Sequence, residues 1–445
     1  MVNKKIVKSI LFFKSICILA IPIIIENIFQ TLLGTIDTYF AGKLNDSAIA
    51  AISSNNLIMN IYIAFYAAVS IGATSVISRY YGKKEKDKIH EGIRQAILIA
   101  LIIGIVIGLV SIVFYKPILL LVNKDKLTLE YSIPYYFVVI VPSIIICFIT
   151  VISACLRAIK NSKISMYVTG ISNIINIFLN IIFMKLGIGI VGLALATTIS
   201  RLIAMVVLFR ELINKTDKKI FSKEKFRINK EIIKNILVIG IPAGVERLIM
   251  RIGQLVYNSM IISLGTVAYV AHNIGGTIEN YSYIPALGFG MAIASLIGIS
   301  IGEDDMHKAE SQTLITYIIT ALYMSIVGVG IYIYADRLSS IFTETREIQI
   351  QVATVIRFIA FFQPFSALTQ IMINALQGAG DTRYPMYVTM FGIWGIRVVI
   401  GYILAVICNM GLMGAWVAYA LDITFRGVIL AIRFKSGKWK SIKIA

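Results

Sequence analysis

Residues 16–40, ICILAIPIIIENIFQTLLGTIDTYF, form an apolar run interrupted by only a few polar side chains. A helix needs about 20 residues of this kind to cross the hydrocarbon core of a bilayer. The run follows a lysine-rich N-terminus, as the core of a secretory signal would. It is too long for such a core, however, it contains Glu26, Gln30 and Asp37, and no small-residue cleavage site follows it. The stretch therefore predicts a permanent first membrane span.

The composition of the whole chain extends this prediction. Of the 445 residues, 58% are hydrophobic and 15% are charged, and the mean hydropathy is +0.84. A soluble domain of ordinary composition is far more polar. Apolar runs separated by charged breaks predict an all-α membrane protein with twelve transmembrane helices. These lie near residues 16–40, 48–79, 93–115, 130–155, 164–184, 189–211, 232–260, 267–300, 309–334, 347–375, 384–408 and 412–434.

The distribution of basic residues predicts the orientation of the chain. The net charge of +19 would ordinarily suggest a nucleic acid as partner, but this charge lies in the loops between the predicted spans. Loops on the side of the N-terminus hold 28 Lys and Arg, and the opposite loops hold 7. This excess satisfies the positive-inside rule with both termini in the cytoplasm. We expect a multi-pass protein of the cell (inner or plasma) membrane that contacts the lipid bilayer and no nucleic acid.

The second half of the sequence repeats the first. At an offset of 220 residues, Ile21-Pro22 matches Ile241-Pro242, Glu26 matches Glu246, and Met166-Tyr-Val-Thr169 matches Met386-Tyr-Val-Thr389. A lysine-rich break at 214–231 is the predicted cytoplasmic linker between two six-helix lobes, residues 1–213 and 232–445. Because six is even, both lobes begin on the same side, which predicts parallel repeats related by an axis along the membrane normal. Secondary transporters use this symmetry and bind their substrate near the middle of the membrane.

The first predicted span carries its polar side chains on one face. Glu26, Gln30 and Asp37 are 4 and 7 positions apart, so this stripe should face the interior of the protein. An ionisable group on a spanning helix is unfavourable and points to a function unless it has a local partner. Asp37 is the candidate ion-coupling residue, because a carboxylate in a partly dry cavity can bind and release a proton or hold Na⁺. The alternative is an acid at the outer mouth of the span, a few residues before Gly42.

Amide side chains form a second stripe on the fifth predicted span. Asn173, Asn176 and Asn180 recur at spacings of 3 and 4, and Thr197 and Thr198 follow in the sixth span. Such a stripe suits two roles: it can supply carbonyl oxygens beside a carboxylate, or it can join helices by hydrogen bonds.

The seventh predicted span carries a stripe of charged and amide side chains. From this stripe, the first span and the eighth we take the candidates for a substrate cavity: Glu26, Gln30, Glu246, Arg247, Arg251, Gln254 and Glu279. The alternative is a neutralised structural network, since Glu279 and Asp422 are available as partners for the arginines of the second half.

Motifs of enzymes and of ATP-driven pumps are absent from the sequence. There is no Walker A loop, HExxH or GxSxG, and the GxGxxG match at 187–192 joins two predicted spans with no strand before it. The four cysteines lie in apolar stretches without metal-ligand spacing. An intramembrane acyltransferase would need a clustered nucleophile and base, and two of the three histidines fall in predicted loops. We expect a transporter without enzyme activity, without a cofactor and without a structural metal.

Four segments together carry a resemblance to a known family. They are Pro22-x3-Glu26 with Asp37-Thr38 and Ala41-Gly42, the turn Leu376-Gln-Gly-Ala-Gly-Asp-Thr-Arg383, Trp394-Gly-Ile-Arg397, and the tail Arg433-Phe-Lys-Ser-Gly-Lys-Trp439. From Ile21 to Trp439 the chain resembles the prokaryotic members of the multidrug and toxic compound extrusion (MATE) family. The resemblance implies two six-helix lobes and the efflux of cationic or amphipathic organic compounds in exchange for H⁺ or Na⁺.

The resemblance also assigns roles to particular residues. Asp37 matches the first-span coupling acid of the family, whereas Asn180 stands where many relatives have an aspartate. The first copy of the turn, residues 156–163, lacks the expected Gly and Asp. We expect a monomeric antiporter whose lobes rock around a central cavity as H⁺ or Na⁺ binds Asp37, supported by Asn176, Asn180 and Thr198.

A flippase for a lipid-linked saccharide or another anionic amphiphile is the alternative function. Its basis is a set of four arginines on predicted spans, which are suited to hold a pyrophosphate bidentately. They are Arg247, Arg251, Arg357 and Arg397.

Overall fold

The computed structural model describes residues 2–123, 125–216 and 227–442, which are almost entirely helical. The α-helices are α1 (Val2–Gly42), α2 (Asp46–Gly82), α3 (Lys86–Val113), α4 (Tyr115–Val122), α5 (Lys126–Tyr135), α6 (Ile144–Ala158), α7 (Ser162–Lys185), α8 (Gly189–Lys215), α9 (Lys230–Ser263), α10 (Thr266–Gly302), α11 (Met306–Ile333), α12 (Ala335–Phe342), α13 (Arg346–Ala360), α14 (Gln363–Gly378), α15 (Arg383–Met390) and α16 (Gly411–Lys435). Helices of π type at Tyr136–Ile140, Phe391–Ile400 and Ile403–Ile407 continue α5 and α15. No strand occurs within these ranges, which confirms the all-α fold class.

The long helices coincide with the twelve predicted spans. Among the described residues, nine single helices and two bent helix pairs are long and apolar enough to cross a membrane. The seventh predicted span corresponds to α9, which falls outside these eleven and has Glu246, Arg247 and Arg251 near its middle. The helical membrane architecture is therefore confirmed, with one span that is more charged than the others.

The two bent spans are interrupted at corresponding places in the repeat. Helices α5 and α6 meet at 44°, with Pro142 in the turn between them, and α13 and α14 meet at 59°, with Pro364 in the first turn of α14. Proline lacks the backbone N–H that a continuous helix would use, so it favours a break at these positions. The Tyr66 hydroxyl donates to Ser143 Oγ (2.7 Å) within the first break.

Contacts divide the chain into two compact units, which we call the N-unit and the C-unit. The N-unit is Ile25–Gly244, and the C-unit joins the residues up to Ile24 to those from Val245 onward. Both divisions fall inside a continuous helix, in α1 just after Pro22 and in α9 just after Pro242. The sequence predicted lobes of residues 1–213 and 232–445. The two units differ from these lobes because the first part of α1 belongs to the C-unit and the first part of α9 belongs to the N-unit. Of the predicted linker 214–231, residues 217–226 lie outside the described residues.

The first part of each of these two helices packs in the same way. In the C-unit, Ile16, Ala20 and Ile23 of α1 lie in one buried cluster with Ile293 and Leu296 of α10. In the N-unit, the corresponding part of α9 approaches α2. A Cβ on Gly240 would collide there with the carbonyl oxygen of Ala68. Glycine permits this close approach of two backbones.

The repeat is preserved in the backbone even where the side chains differ. Residues with positive φ recur in pairs at offsets of 220 or 222: Lys84 (60°) with Asp304 (59°), Lys160 (62°) with Gly380 (80°), Gly187 (69°) with Asn409 (55°), and Gly189 (65°) with Gly411 (57°). The two turns that differ in sequence close with the same bond, from Asn161 N to Leu156 O and from Asp381 N to Leu376 O, each 2.8 Å. The first turn therefore keeps its shape without the Gly and Asp of the second.

This comparison predicts that Lys160→Gly stabilises the protein. A left-handed conformation is unfavourable by about 1–2 kcal/mol for a residue with a Cβ, and the greater entropy of unfolded glycine offsets part of this. We expect a net gain of about 0.5–1 kcal/mol in the free energy of unfolding. Lys160→Ala is the matched control, because it removes the cation–π contact with Tyr81 but keeps the Cβ. Thermal unfolding in detergent compares the two, and equal stability of both variants would contradict the prediction.

Candidate functional site

Asp37 is the centre of a buried polar cluster in the N-unit. Its side chain is 3% exposed, and its two carboxylate oxygens accept hydrogen bonds from three uncharged side chains. Thr197 Oγ1 donates to Oδ2 (2.9 Å), while Asn176 Nδ2 (3.4 Å) and Asn180 Nδ2 (3.3 Å) donate to Oδ1. The alternative of an exposed acid at the mouth of the first span is therefore wrong.

Three helices position these groups. Asn176 and Asn180 are one turn apart on α7, and Asn180 Nδ2 also donates to Asn176 Oδ1 (3.0 Å). Asn176 Nδ2 is shared with Thr197 Oγ1 on α8 (3.3 Å), and Asn173 Nδ2 donates to the carbonyl of Phe29 on α1 (2.6 Å). The amide stripe thus both joins helices and surrounds the carboxylate, so the two roles left open by the sequence are combined.

The cluster is rich in acceptors and poor in positive charge. Within the described residues Asp37 forms no ion pair. Arg201, one turn beyond Thr197, acts on it only through the electrostatic field. Asn180 Oδ1 is buried and receives no hydrogen bond. A buried carboxylate beside an unsatisfied carbonyl favours a proton or a hard cation, because oxygen atoms are the ligands that hard cations prefer.

Thr198 requires a correction. Its hydroxyl donates to the carbonyl of Val138 in the π-helical segment (2.7 Å), and it is Thr197 that reaches Asp37. Tyr135, which is fully buried and interacts with Thr197, is a further member of the cluster that the sequence analysis missed. The face of α8 that turns inward has a visible period, Leu193, Thr197, Ser200 and Ala204, and this signal would have selected Thr197.

The two repeat-related glutamates have different partners. In the N-unit, Glu26 is buried against Arg157 (Oε2 to Nη1, 3.5 Å), and the exposed Gln30 donates to it (3.5 Å). In the C-unit, Glu246 accepts from Gln377 Nε2 (2.7 Å) and from Thr389 Oγ1 (3.1 Å). Gln377 is the repeat equivalent of Arg157. At this repeat position an arginine neutralises the charge of Glu26 in the N-unit, whereas an uncharged glutamine donates a hydrogen bond to Glu246 in the C-unit.

The remaining cavity candidates do not form one cluster. Glu279, which is 9% exposed, accepts from the Tyr419 hydroxyl (2.7 Å), and Arg397 lies over the Tyr419 ring. Arg251 is exposed and donates to Gln254 Oε1 (3.3 Å). Their role as substrate ligands stays a prediction.

The histidines are separated from one another. His90, His272 and His307 lie in α3, α10 and α11, so the prediction that two of them fall in loops is wrong. His272 Nε2 contacts Asn258 Oδ1 at 3.1 Å, and its ring packs against Trp416. Among the described residues no group of three His, Cys, Asp or Glu side chains is arranged to hold a metal ion.

Comparisons with known proteins agree on one family. The sequence profile of the family described as MatE matches residues 22–182 and 242–403, one match in each half of the chain. The chain is 29% identical to "Probable multidrug resistance protein NorM" of Thermotoga maritima over 96% of this chain and 93% of that protein. It is 26% identical to "Uncharacterized transporter YisQ" of Bacillus subtilis over 94% and 93%. A structure described as "Crystal structure of MATE in the bent conformation" superposes with a TM-score of 0.91 at 24% identity, over 96% of each chain.

The contrast between the two glutamates predicts how the N-unit tolerates changes at Arg157. Arg157→Leu leaves Glu26 buried without a cation, which should lower the free energy of unfolding by about 3–5 kcal/mol. Arg157→Gln recreates the arrangement of Glu246 and Gln377, so it should retain a large part of this stability. Thermal unfolding of the two variants in detergent makes the comparison, and an equal loss in both would show that a neutral donor does not stabilise this glutamate.

Proposed function

The chain belongs to the MATE family of multidrug efflux transporters, which are membrane transporters and not enzymes, and we propose that it is a secondary antiporter. It exports cationic or amphipathic organic compounds in exchange for H⁺ or Na⁺. The single observation that carries this proposal is the Asp37 cluster. There a buried carboxylate is surrounded by uncharged donors and by an unsatisfied amide oxygen.

Ion binding at Asp37 acts on three helices at once. The carboxylate is on α1, and its donors are on α7 and α8, so a proton or Na⁺ bound there changes the hydrogen bonds that hold the three helices together. A ligand shifts a conformational equilibrium only by binding its two states unequally. Asp37 meets this condition if one state leaves it dry and surrounded by neutral donors while the other hydrates it.

A groove in the N-unit supports small organic compounds as the substrates. It has a volume of about 810 Å³, and it is lined mostly by apolar atoms together with hydroxyl groups, an amide and Lys43. Its lining includes Thr31, Thr35, Thr38 and Tyr39 of α1 and Asn56 of α2. The three threonine hydroxyls donate to carbonyls of their own helix, so the groove offers few strong polar ligands. Such a surface suits amphipathic molecules of varied shape.

The basic loops support an orientation with both termini in the cytoplasm of a cell whose membrane the chain spans many times. Each unit has its own compact set of internal contacts, and we propose that the chain works as a monomer.

The flippase alternative has lost part of its basis. Arg357 pairs with Asp336 (2.6 Å), and Arg397 pairs with Asp422 (2.6 Å), so two of the four arginines that would hold a pyrophosphate are already engaged. Export of organic compounds coupled to an ion is therefore the function that we favour.

Asp37→Asn should abolish ion-driven efflux, because the amide keeps the shape of the carboxylate but does not bind a proton or Na⁺. Thr197→Val removes one hydrogen bond that stabilises the ionised carboxylate, about 1.5–3 kcal/mol, and should therefore strengthen proton binding at Asp37 by roughly 10- to 100-fold. Thr198→Val is the matched control and should leave ion affinity unchanged. Efflux of ethidium from vesicles with separately imposed pH and sodium gradients measures all three. Full ion-driven efflux by the Asp37→Asn variant would exclude Asp37 from the mechanism.

Asn180→Asp should shift coupling towards Na⁺. A second carboxylate at this position adds negative charge beside Asp37, and two adjacent carboxylates favour a bound cation between them. We expect Na⁺ affinity to rise about tenfold or more, because one additional charged ligand contributes binding free energy of about this size. Asn173→Asp, the same change two turns earlier on α7, is the control. An equal rise in both variants would indicate a general effect of charge rather than a site at Asp37.

A further inference from the structure

Some arginines on the spans of the C-unit have a carboxylate partner and others do not. Asp422 receives Arg397 and Arg426, both at ion-pair distance, and Asp336 receives Arg357. Arg247 and Arg251 on α9 have no carboxylate at ion-pair distance anywhere in the described chain. Arg247 Nε is buried without an acceptor, and Arg251 Nη1 donates only to the uncharged Gln254. Two guanidinium groups near the middle of α9 therefore retain unused donors.

The nearest carboxylate does not satisfy them. Glu246 is the neighbour of Arg247 in sequence, but its two oxygens are occupied by Gln377 and Thr389, and Arg247 acts on it through the field alone. Arg247 and Arg251 are one turn apart on the same helix face, so their like charges repel each other. A charge in a spanning helix without a partner marks a functional site, because the membrane does not solvate it.

The equivalent helix of the first repeat forms without these cations. The positions equivalent to Arg247 and Arg251 on α1 are Asn27 and Thr31, which are uncharged. Thr31, Gly34 and Thr38 line the groove of the N-unit, and their equivalents on α9 are Arg251, Gln254 and Asn258. Arg251 thus stands at the position where Thr31 lines the groove of the first repeat, and Arg247 lies one turn before it, at the position of Asn27.

A second helix of the C-unit adds a polar group at this place. Tyr283 of α10 is half-buried, its hydroxyl donates to Gln370 Oε1 on α14 (2.6 Å), and it lies within electrostatic range of both arginines. The Tyr283 oxygen keeps a lone pair, and Gln254 keeps its amide N–H groups as donors. The two arginines are therefore part of a polar surface built from α9, α10 and α14.

We propose that Arg247 and Arg251 bind an oxyanion carried by an amphipathic compound, that is, a carboxylate, sulfonate or phosphate group. Guanidinium groups present paired N–H donors in the spacing of such oxygens, and the bond is strong where water is scarce. The inference rests on the proposed function in one respect, since the ligand is an exported compound. It adds to the proposed substrates amphipathic compounds with an anionic group, including zwitterions.

The test is an equilibrium binding measurement on the full chain in nanodiscs of phosphatidylcholine. The probes share one fluorophore and differ in terminal charge: dansyl-taurine is a sulfonate, dansyl-ethylenediamine is a cation, and dansyl-ethanolamine is neutral. The double variant Arg247→Gln with Arg251→Gln should bind dansyl-taurine at least about tenfold more weakly than the wild type, because each lost guanidinium removes a charged hydrogen bond. Its affinity for the cationic and neutral probes should be unchanged or higher.

Arg357→Gln is the matched control, because it removes one arginine from the same unit but from an ion pair with Asp336. It should leave the affinity for all three probes unchanged. The single variant Arg251→Gln, at an exposed side chain, carries the test if the double variant fails to fold. The proposal is overturned if sulfonate affinity stays within twofold of the wild type, or if the affinities for all three probes fall equally.

The design also distinguishes oxyanion binding from ion coupling, and an organic substrate from a lipid headgroup as the ligand. The binding measurement uses no ion gradient, so failure of ion coupling, which the efflux assay reports, is distinguishable from failure of the oxyanion site. In nanodiscs that contain phosphatidylglycerol, competition with dansyl-taurine in the wild type would identify a lipid headgroup as a second occupant of the same oxyanion site. Equal displacement of the cationic probe by that lipid would instead indicate competition that does not depend on the charge of the probe and would contradict the proposal.

Discussion

The carboxylate of Asp37 is buried among uncharged donors, whereas other buried acids of the chain have cations as partners. Glu26 has Arg157, and Asp422 has two arginines. In a protein whose surroundings do not solvate charge, every ionised side chain needs a partner inside the fold or from outside it. Several buried charges of this chain are matched internally and hold helices together. Asp37 and the arginine pair of α9 form no ion pair in the described chain, as is also true of Glu246 and Glu279. Asp37 and the arginine pair are the places where our proposals have a mobile ion or ligand complete the structure.

Duplication explains how such unmatched groups arise without loss of the fold. The paired residues of positive φ and the matching breaks at Pro142 and Pro364 show that both halves keep the same backbone. The side chains on that backbone have diverged, as at Lys160 and Gly380, which adopt the same conformation with different strain. One copy therefore provides a comparison for the other. A polar residue present in only one copy is therefore a candidate for a role beyond the backbone that both copies share.

The spans and the repeat were predicted well from the sequence alone. Apolar runs, and residues that match at a constant offset, are visible in the sequence and do not depend on which helices are neighbours. The sequence also identified Asp37, Asn176 and Asn180, whose rarity in an apolar run is visible without a structure. It failed where a one-residue difference in helix phase decides the contact, as between Thr197 and Thr198. It also did not reveal that α1 and α9 each contribute to two compact units, since this depends on packing at Ile24 and Gly244. Pairing among the charged residues of the C-unit likewise depends on which helices are neighbours.

The two glutamates suggest why the second half has an arginine on α9 that pairs with no carboxylate in the described chain. In the first repeat the positive charge near Glu26 is that of Arg157 on α6, and the two side chains form a buried ion pair. In the second repeat the equivalent of Arg157 is Gln377, and the positive charge lies instead on α9, next to Glu246 but not in contact with it. The arginine near the glutamate is thus on α6 in the first repeat, and on α9, the equivalent of α1, in the second. In both repeats the positive charge of an arginine acts on the glutamate. The same backbone therefore carries a buried ion pair in one half and, in the other, an arginine whose guanidinium is available to the oxyanion that we propose as its ligand.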